Sequence, residues 1–217
     1  MVGHARRILA AHDEAWQDIS GSVSESRIRI GMTQDFADSD LPTHLNTFAR
    51  LHSRVRIDLR VGKSSELVND FSAGRIDLLL VMRLKTELDE IVAIKEPMIW
   101  LCVRNGLFSE KDEIPLALLD PPCTFRDAAV SALETGGRPY RFAATSSSLS
   151  GVRAAVHAGL AITVRTARWV GNEIDHAPGY LKLPPLPDAE FCVRVKHDAS
   201  EATFHLADVI SKGISHR

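Results

Sequence analysis

The sequence predicts an α/β protein made of two lobes that face each other across a cleft, joined by two crossing strands and preceded by a helical arm. Three observations carry that prediction. From Arg27 onward, short apolar runs alternate with segments of helical period, the pattern of a largely parallel sheet covered by helices. The chain has 217 residues, long enough for one large domain or two small lobes with a core and no covalent staples. Residues 68–81 and 152–164 echo each other. Each is a helix, then Ala-Gly (Ala73-Gly74, Ala158-Gly159), then a short buried strand, with the glycine supplying the positive φ that a helix C-cap favours.

The elements follow in order. Residues 3–19 read as a helix with a narrow apolar seam, because Ala5, Leu9, His12, Trp16 and Ile19 recur at spacings of four and three. A helix packed on its own domain would show the same seam, but Gly21 among Ser20, Ser22, Ser24 and Ser26 forms a flexible joint and favours a protruding arm. Residues 1–22 are therefore expected to be a linker and dimerisation helix. Arg27-Ile28-Arg29-Ile30 alternates as a strand, and Gly31-Met32-Thr33-Gln34-Asp35 is expected to be a loop. A helix starts near Ser39-Asp40-Leu41-Pro42, where Ser or Asp can cap and Pro fits the first turn, and lines up Leu41, Leu45, Phe48 and Leu51. Residues 54–61 alternate strictly, with one apolar and one charged face. Lys63-Ser64-Ser65 leads into a helix bearing Leu67, Val68 and Phe71, which Gly74 stops before the strand at 76–81.

Residues 91–103 hold one or two strands broken at Pro97. In the second half, strands are expected at 116–119, 140–144 and 160–164, with helices through Ala128, Ala129 and Leu133 and through Leu149, Val152 and Val156. Leu183-Pro184-Pro185-Leu186-Pro187 is extended, residues 191–196 form a strand, and Leu206, Ala207, Ile210 and Ile214 mark a closing helix. With crossings near Val103 and Phe191, residues 27–103 plus 191–217 form lobe I and residues 104–190 form lobe II.

Composition narrows the function. Lys+Arg 26 against Asp+Glu 28 leaves a net charge of −2, so the chain lacks the positive excess of a stand-alone DNA-binding domain. Three cysteines are too few for a disulfide scaffold and fit a reducing compartment. The longest apolar run, residues 76–82, is interrupted by Asp77, so no membrane span is expected. Charge and His occupy the start of the chain where an export signal would be apolar. A cytoplasmic location is the expectation.

Enzymatic signatures are missing. Ser148-Leu149-Ser150-Gly151 lacks the leading Gly of a nucleophile elbow, and the sequence holds no Gly-x-Gly-x-x-Gly, no Walker loop, no His-Glu-x-x-His and no Cys-x-x-Cys. No enzyme activity, cofactor or metal is expected. His44, His52 and His157 are read as solvated or structural. Asp35, the one acid in the expected cleft, could interact with Lys63 or Arg126.

The cleft itself lies at the C-terminal ends of the strands, where helix N-termini direct free N–H groups at an anion. Its loops are polar. From the first lobe come Thr33-Gln34-Asp35, Lys63-Ser64-Ser65 and Arg83; from the second come Cys123-Thr124-Phe125-Arg126, Thr145-Ser146-Ser147-Ser148 and Arg165. Capping alone would explain Ser64, Ser65 and the serines 146–148. Their recurrence in both lobes points instead to a small polar or anionic ligand held by Thr33, Gln34, Lys63, Ser64, Ser65, Thr124, Phe125, Arg126, Ser147 and Ser148.

These residues resemble the C-terminal part of LysR-type transcriptional regulators. The likeness rests on Gly3-His4-Ala5-Arg6-Arg7-Ile8-Leu9, Arg27-Ile28-Arg29-Ile30-Gly31, Leu41-Pro42 with Leu45 and Phe48, Ala73-Gly74-Arg75-Ile76-Asp77-Leu78, and Ala158-Gly159-Leu160-Ala161-Ile162. Cys123-Thr124-Phe125-Arg126-Asp127 followed by Gly137-Arg138-Pro139-Tyr140-Arg141 looks most like the LrhA-like branch. The resemblance implies two Rossmann-like lobes of the type 2 periplasmic-binding-protein kind, with an inducer near Thr33, Gln34, Ser64, Ser65, Phe125, Ser147 and Ser148. It implies a homodimer or homotetramer, with the strand at 54–61 and the helix at 41–52 packing on a partner. It also implies that operator DNA is bound by an N-terminal winged helix-turn-helix, which this sequence does not include.

Two other readings stay open. A transport-type solute-binding protein would share the fold, although the linker helix and the missing export signal argue against it. A redox sensor would use Cys123, near the start of a second-lobe helix, with Arg126 and the helix N-terminus lowering its pKa. Cys102 and Cys192 are expected on the crossover strands.

Overall fold

The computed structural model describes residues 27–39, 41–83 and 92–215. The expected linker helix at 1–22 and the capping Asp40 lie outside these residues.

The first sheet runs in the order β2-β1-β3-β10-β4, from β1 (Arg27–Met32), β2 (Arg56–Val61), β3 (Leu78–Met82), β4 (Val92–Pro97) and β10 (Asp188–Val195). β1 lies parallel to β2 and β3, whereas β10 runs antiparallel to β3 and β4. The second half repeats this plan. β6 (Ile114–Leu119) pairs parallel with β7 (Tyr140–Ser146), Leu116 bridges Ile162 just ahead of β8 (Thr163–Arg165), and β5 (Ile99–Val103) runs antiparallel between β8 and β9 (Ile174–His176). Its order is therefore β7-β6-β8-β5-β9. In each lobe the antiparallel fourth strand comes from the far side of a crossing, which ties the two lobes together.

That pairing moves a boundary. Residues 99–103 were expected in the first lobe, but β5 belongs to the second sheet, so the chain crosses at Met98. The return crossing ends at Asp188, where β10 meets Pro97 of β4. Nearness along the chain suggested the earlier boundary; the apolar run of β5 is buried because it has a neighbour on each side.

Burial of both faces explains the strand compositions. In β3, Leu78 and Leu80 enter the main core, which also holds Phe48, Phe191 and Leu206, while Leu79 and Val81 face Leu67, Val68 and Ile76. Gly31 stands where a Cβ would run into the Ile76 side chain, so glycine on β1 lets Ile76 pack closely there.

The helices are α1 (Gln34–Ala37), α2 (Leu41–Ala49), α3 (Ser64–Ser72), α4 (Thr124–Thr135), α5 (Leu149–His157) and α6 (Glu201–Ser215). α3 covers one face of the first sheet. α2 and α6 pack together, with Phe48 stacked on His52 and the His52 and His205 rings joined nitrogen to nitrogen at 2.8 Å. Gly74 and Gly159 take φ of 78° and 71° after α3 and α5, the left-handed cap that both echoes require. The segment expected as a loop at 31–35 instead ends β1 and begins α1. The amides of Phe36 and Ala37 turn back onto the Thr33 carbonyl, giving a short helical turn.

Candidate functional site

The polar residues singled out in the sequence follow the C-terminal ends of parallel strands: Thr33 and Gln34 after β1, Lys63 to Ser65 after β2, Thr124 to Arg126 after β6, and Ser147 and Ser148 after β7. The fold therefore gathers them at one end of each sheet, as expected for ligand loops in α/β proteins. Their detailed roles differ.

Thr33 is buried, and its Oγ1 has no hydrogen-bond partner. Gln34 reaches the other lobe, where its Oε1 accepts a hydrogen bond from the Leu149 amide at 3.3 Å. The N-terminus of α5 is thus shared between lobes. Ser148 caps it from within, its Oγ accepting from the Gly151 amide at 3.3 Å, and Ser146 Oγ accepts from the Ser148 amide at 3.1 Å. Ser147 is exposed.

Capping does not account for Ser64 and Ser65. Lys63 occupies the N-cap of α3 and makes no side-chain capping bond, so both serines sit within the first turn. Phe125 is a core residue, 3% exposed, and Thr124 beside it is exposed. Arg126 turns to its own lobe, donating from Nη1 to the Leu119 carbonyl at 3.1 Å with its guanidinium 4.2 Å from the Phe142 ring centroid. It does not serve as a partner of Asp35, and neither does Lys63. Asp35 pairs instead with Arg165, at 3.8 Å from Nε, and accepts from the Trp169 indole at 3.0 Å.

A further contact between the lobes involves Arg165, expected at the cleft, together with Arg168, Trp169 and Arg153, which sequence reading missed. α1 and the turn after it lie against the segment from Arg165 to Trp169 and against α5. Arg168, nearly fully buried, donates from Nε to Glu96 on β4 at 3.1 Å and from Nη1 to Ser39 at 3.3 Å, and stacks over Phe36. Arg153 lies 3.9 Å from Asp38 and 4.3 Å from the Trp169 ring centroid. The signal that could have found this belt is Arg165-Thr-Ala-Arg168-Trp169, two cations and an indole following a buried strand.

A second recess of about 410 Å³ lies at the opposite end of the first sheet, lined by Arg27, Arg29, Asp77 and Lys196 among others. Its cations are committed: Arg29 to Asp77, Arg27 to Asp58, and Lys196 to the Gly74 carbonyl. Among the described residues no group of three or more His, Cys, Asp or Glu side chains could hold a metal ion, and no helix is long and apolar enough to cross a membrane. Cys102 and Cys192 are buried and Cys123 half-buried. Burial, reinforced by the nearby Asp175 charge, pushes the Cys102 thiol above its usual pKa.

Two lobes of matching strand order, joined by two crossings and meeting through polar loops, define a type 2 periplasmic-binding-protein-like protein. Within that class, residues 21–207 match the family model described as the LysR substrate binding domain, and the chain belongs to the LysR family of transcriptional regulators. It is 31% identical over 214 residues to the HTH-type transcriptional regulator PecT of Dickeya dadantii (strain 3937), covering 98% of this chain and 67% of that protein. It is 33% identical over 187 residues to the HTH-type transcriptional regulator DgdR of Burkholderia cepacia, covering 86% and 64%. The chain thus spans about two thirds of the length of these relatives. The regulatory domain of CcmR from Synechocystis PCC6803, solved in complex with 2-PG, shares the fold with a TM-score of 0.67 at 16% identity, covering 87% of this chain and 97% of that one.

Proposed function

We propose that the chain is the effector-sensing part of a transcriptional regulator, binding a small polar or anionic metabolite between its lobes and thereby biasing how the lobes sit against each other. The ligand is held by Thr33, Gln34, Lys63, Ser64, Ser65, Thr124, Phe125, Ser147 and Ser148, with Arg126 bracing the second-lobe wall. The observation that carries this reading is the Gln34 bond to the Leu149 amide. A helix N-terminus offers donors suited to an acceptor, and here the acceptor comes from the other lobe. A ligand oxygen that takes the Leu149 amide releases Gln34, so binding and interlobe contact are coupled through one donor.

The 2-PG in the CcmR regulatory domain supports small-molecule binding on this fold. The regulator works in the cytoplasm as a homodimer or homotetramer, without catalysis of its own, and contacts operator DNA through a winged helix-turn-helix separate from residues 27–215. Thermal-shift screening of a metabolite library against the chain tests the reading. A saturable hit whose affinity falls in Ser65→Ala and Ser147→Ala is expected; unchanged affinity in both variants would refute the assigned cleft.

A further inference from the structure

We propose that Arg165 determines specificity in the cleft, its Nε and Nη2 edge receiving a carboxylate of the effector, with Asp35 as the internal anion that this carboxylate displaces. The inference rests on the cleft reading above and names the chemistry that the cleft selects.

Arg165 is completely buried at the end of β8. Nη1 donates to the Val164 carbonyl at 3.3 Å, but neither Nε nor Nη2 has a hydrogen-bond partner. Asp35 Oδ1 stands 3.8 Å from Nε, close enough to balance the charge and too far to accept a hydrogen bond, and that oxygen accepts from Trp169 instead. A buried guanidinium normally has its donors met. The two unmet donors here form the side-on edge of the planar fork, whose spacing matches the two oxygens of a carboxylate.

The surroundings favour that use. The guanidinium lies 4.7 Å from the Phe125 centroid and 5.4 Å from that of Trp169, so aromatic rings from two elements restrict its position. Thr163, on the same side of β8, and Thr33, two residues before Asp35 in the other lobe, each have a buried hydroxyl with no hydrogen-bond partner. Each is an unmet polar group of the kind a bound polar ligand would satisfy. Arg168, three residues along, is bonded to Glu96 and Ser39, which leaves the carboxylate to Arg165. An uncharged amide has only one acceptor oxygen for the fork and brings no charge, so the site discriminates an acid from its amide.

The test uses the full chain at constant ionic strength, with a series of short mono- and dicarboxylates each paired with its amide. At least one acid should raise the melting temperature saturably while its amide does not. Arg165→Gln should weaken that acid more than about tenfold. Asp35→Asn should melt lower without added acid yet bind the acid more tightly, because the competing internal anion is gone. If Arg165→Gln does not fold, the Arg165 Nε–H resonance of the unsubstituted chain decides, moving with the acid and not with the amide. Binding of the acid by Arg165→Gln within about twofold of the parent, or an unmoved resonance, overturns the proposal. So does a series in which no acid binds. If a neutral metabolite then binds in a Ser147-dependent way, the cleft reading survives; if nothing binds, both readings fall.

Discussion

The indole N–H of Trp169 donates to the Asp35 carboxylate at 3.0 Å, linking residues 134 positions apart on opposite lobes. The bond is buried and charge-assisted, which puts it at the stronger end of protein hydrogen bonds. Trp169→Phe keeps most of the ring but leaves the carboxylate without this donor. The variant should lose about 2 kcal/mol in urea unfolding, and the loss should shrink when Asp35→Asn is already present. A loss unchanged by that second substitution would show that ring packing, and not the bond, joins the lobes.

Cysteine reactivity separates ligand sensing from redox sensing. Cys102 is buried with its thiol pushed up, first by desolvation and then by Asp175, so it carries little thiolate at neutral pH. Cys192 is likewise buried on β10, and Cys123 is half-buried at the start of α4. Titration with a thiol-reactive disulfide should modify Cys123 alone in the native chain and all three after unfolding. Peroxide should leave no intramolecular disulfide on a mass map. Rapid loss of two thiols together would instead favour the redox reading.

Much of this fold was legible as periodicity, and the site only in part. The alternation in Arg56–Val61 and the cap glycines Gly74 and Gly159 act within a few residues, so local sequence specifies them. β9 and the 3-10 turns at Ala167–Trp169 and Gly179–Leu181 were not foreseen, being only three residues each. The assignment of β5 to the second sheet was hidden because pairing partners lie far along the chain. Arg165 was placed at the cleft, but its burial and the whole role of Arg168 were not legible. Arginine is ordinarily exposed, and although two cations and an indole after a buried strand mark Arg165-Thr-Ala-Arg168-Trp169 as a contact segment, they do not identify Asp35, Phe36 and Glu96 as the residues that close over it. The placement of Thr33 and Gln34 at a strand end was legible because strand ends in α/β folds gather polar loops, whatever their partners.

Acid stability should follow Asp77. It accepts from the Arg29 amide and Nε, each at 2.9 Å, tying the start of β1 to the approach to β3. Burial alone would raise its carboxyl, but the bonds from the Arg29 side chain and backbone outweigh burial and hold it below the usual range. A lowered carboxyl stabilises the fold fully above the unfolded value of about 4, and this contribution is lost as pH falls through the lower folded value. Asp77→Asn should therefore cost about 1–2 kcal/mol near neutrality, a modest figure because Arg29 is partly exposed. The stability gap between the two proteins should begin to narrow as pH falls below about 4 and close only below the lower folded value. A gap that persists into acid would assign the cost to geometry and not to charge.

The outer strand of the first sheet predicts the oligomeric state. β2 is an edge strand, and its charged side is neutralised locally, with Arg27 and Arg56 on Asp58 and Arg60 on Asp70. Its other side leaves Leu59 and Val61 each 47% exposed, and Leu51, just after α2, is 64% exposed. An unpaired edge beside exposed apolar side chains is a surface that proteins normally cover. The chain should sediment as a dimer at micromolar concentration. Leu51→Glu with Leu59→Lys should shift it to monomer with a melting temperature close to the parent's, since neither side chain belongs to the core. A parent chain that sediments as a monomer would remove this edge as the interface, and a double variant that remains dimeric would move the interface elsewhere on the surface.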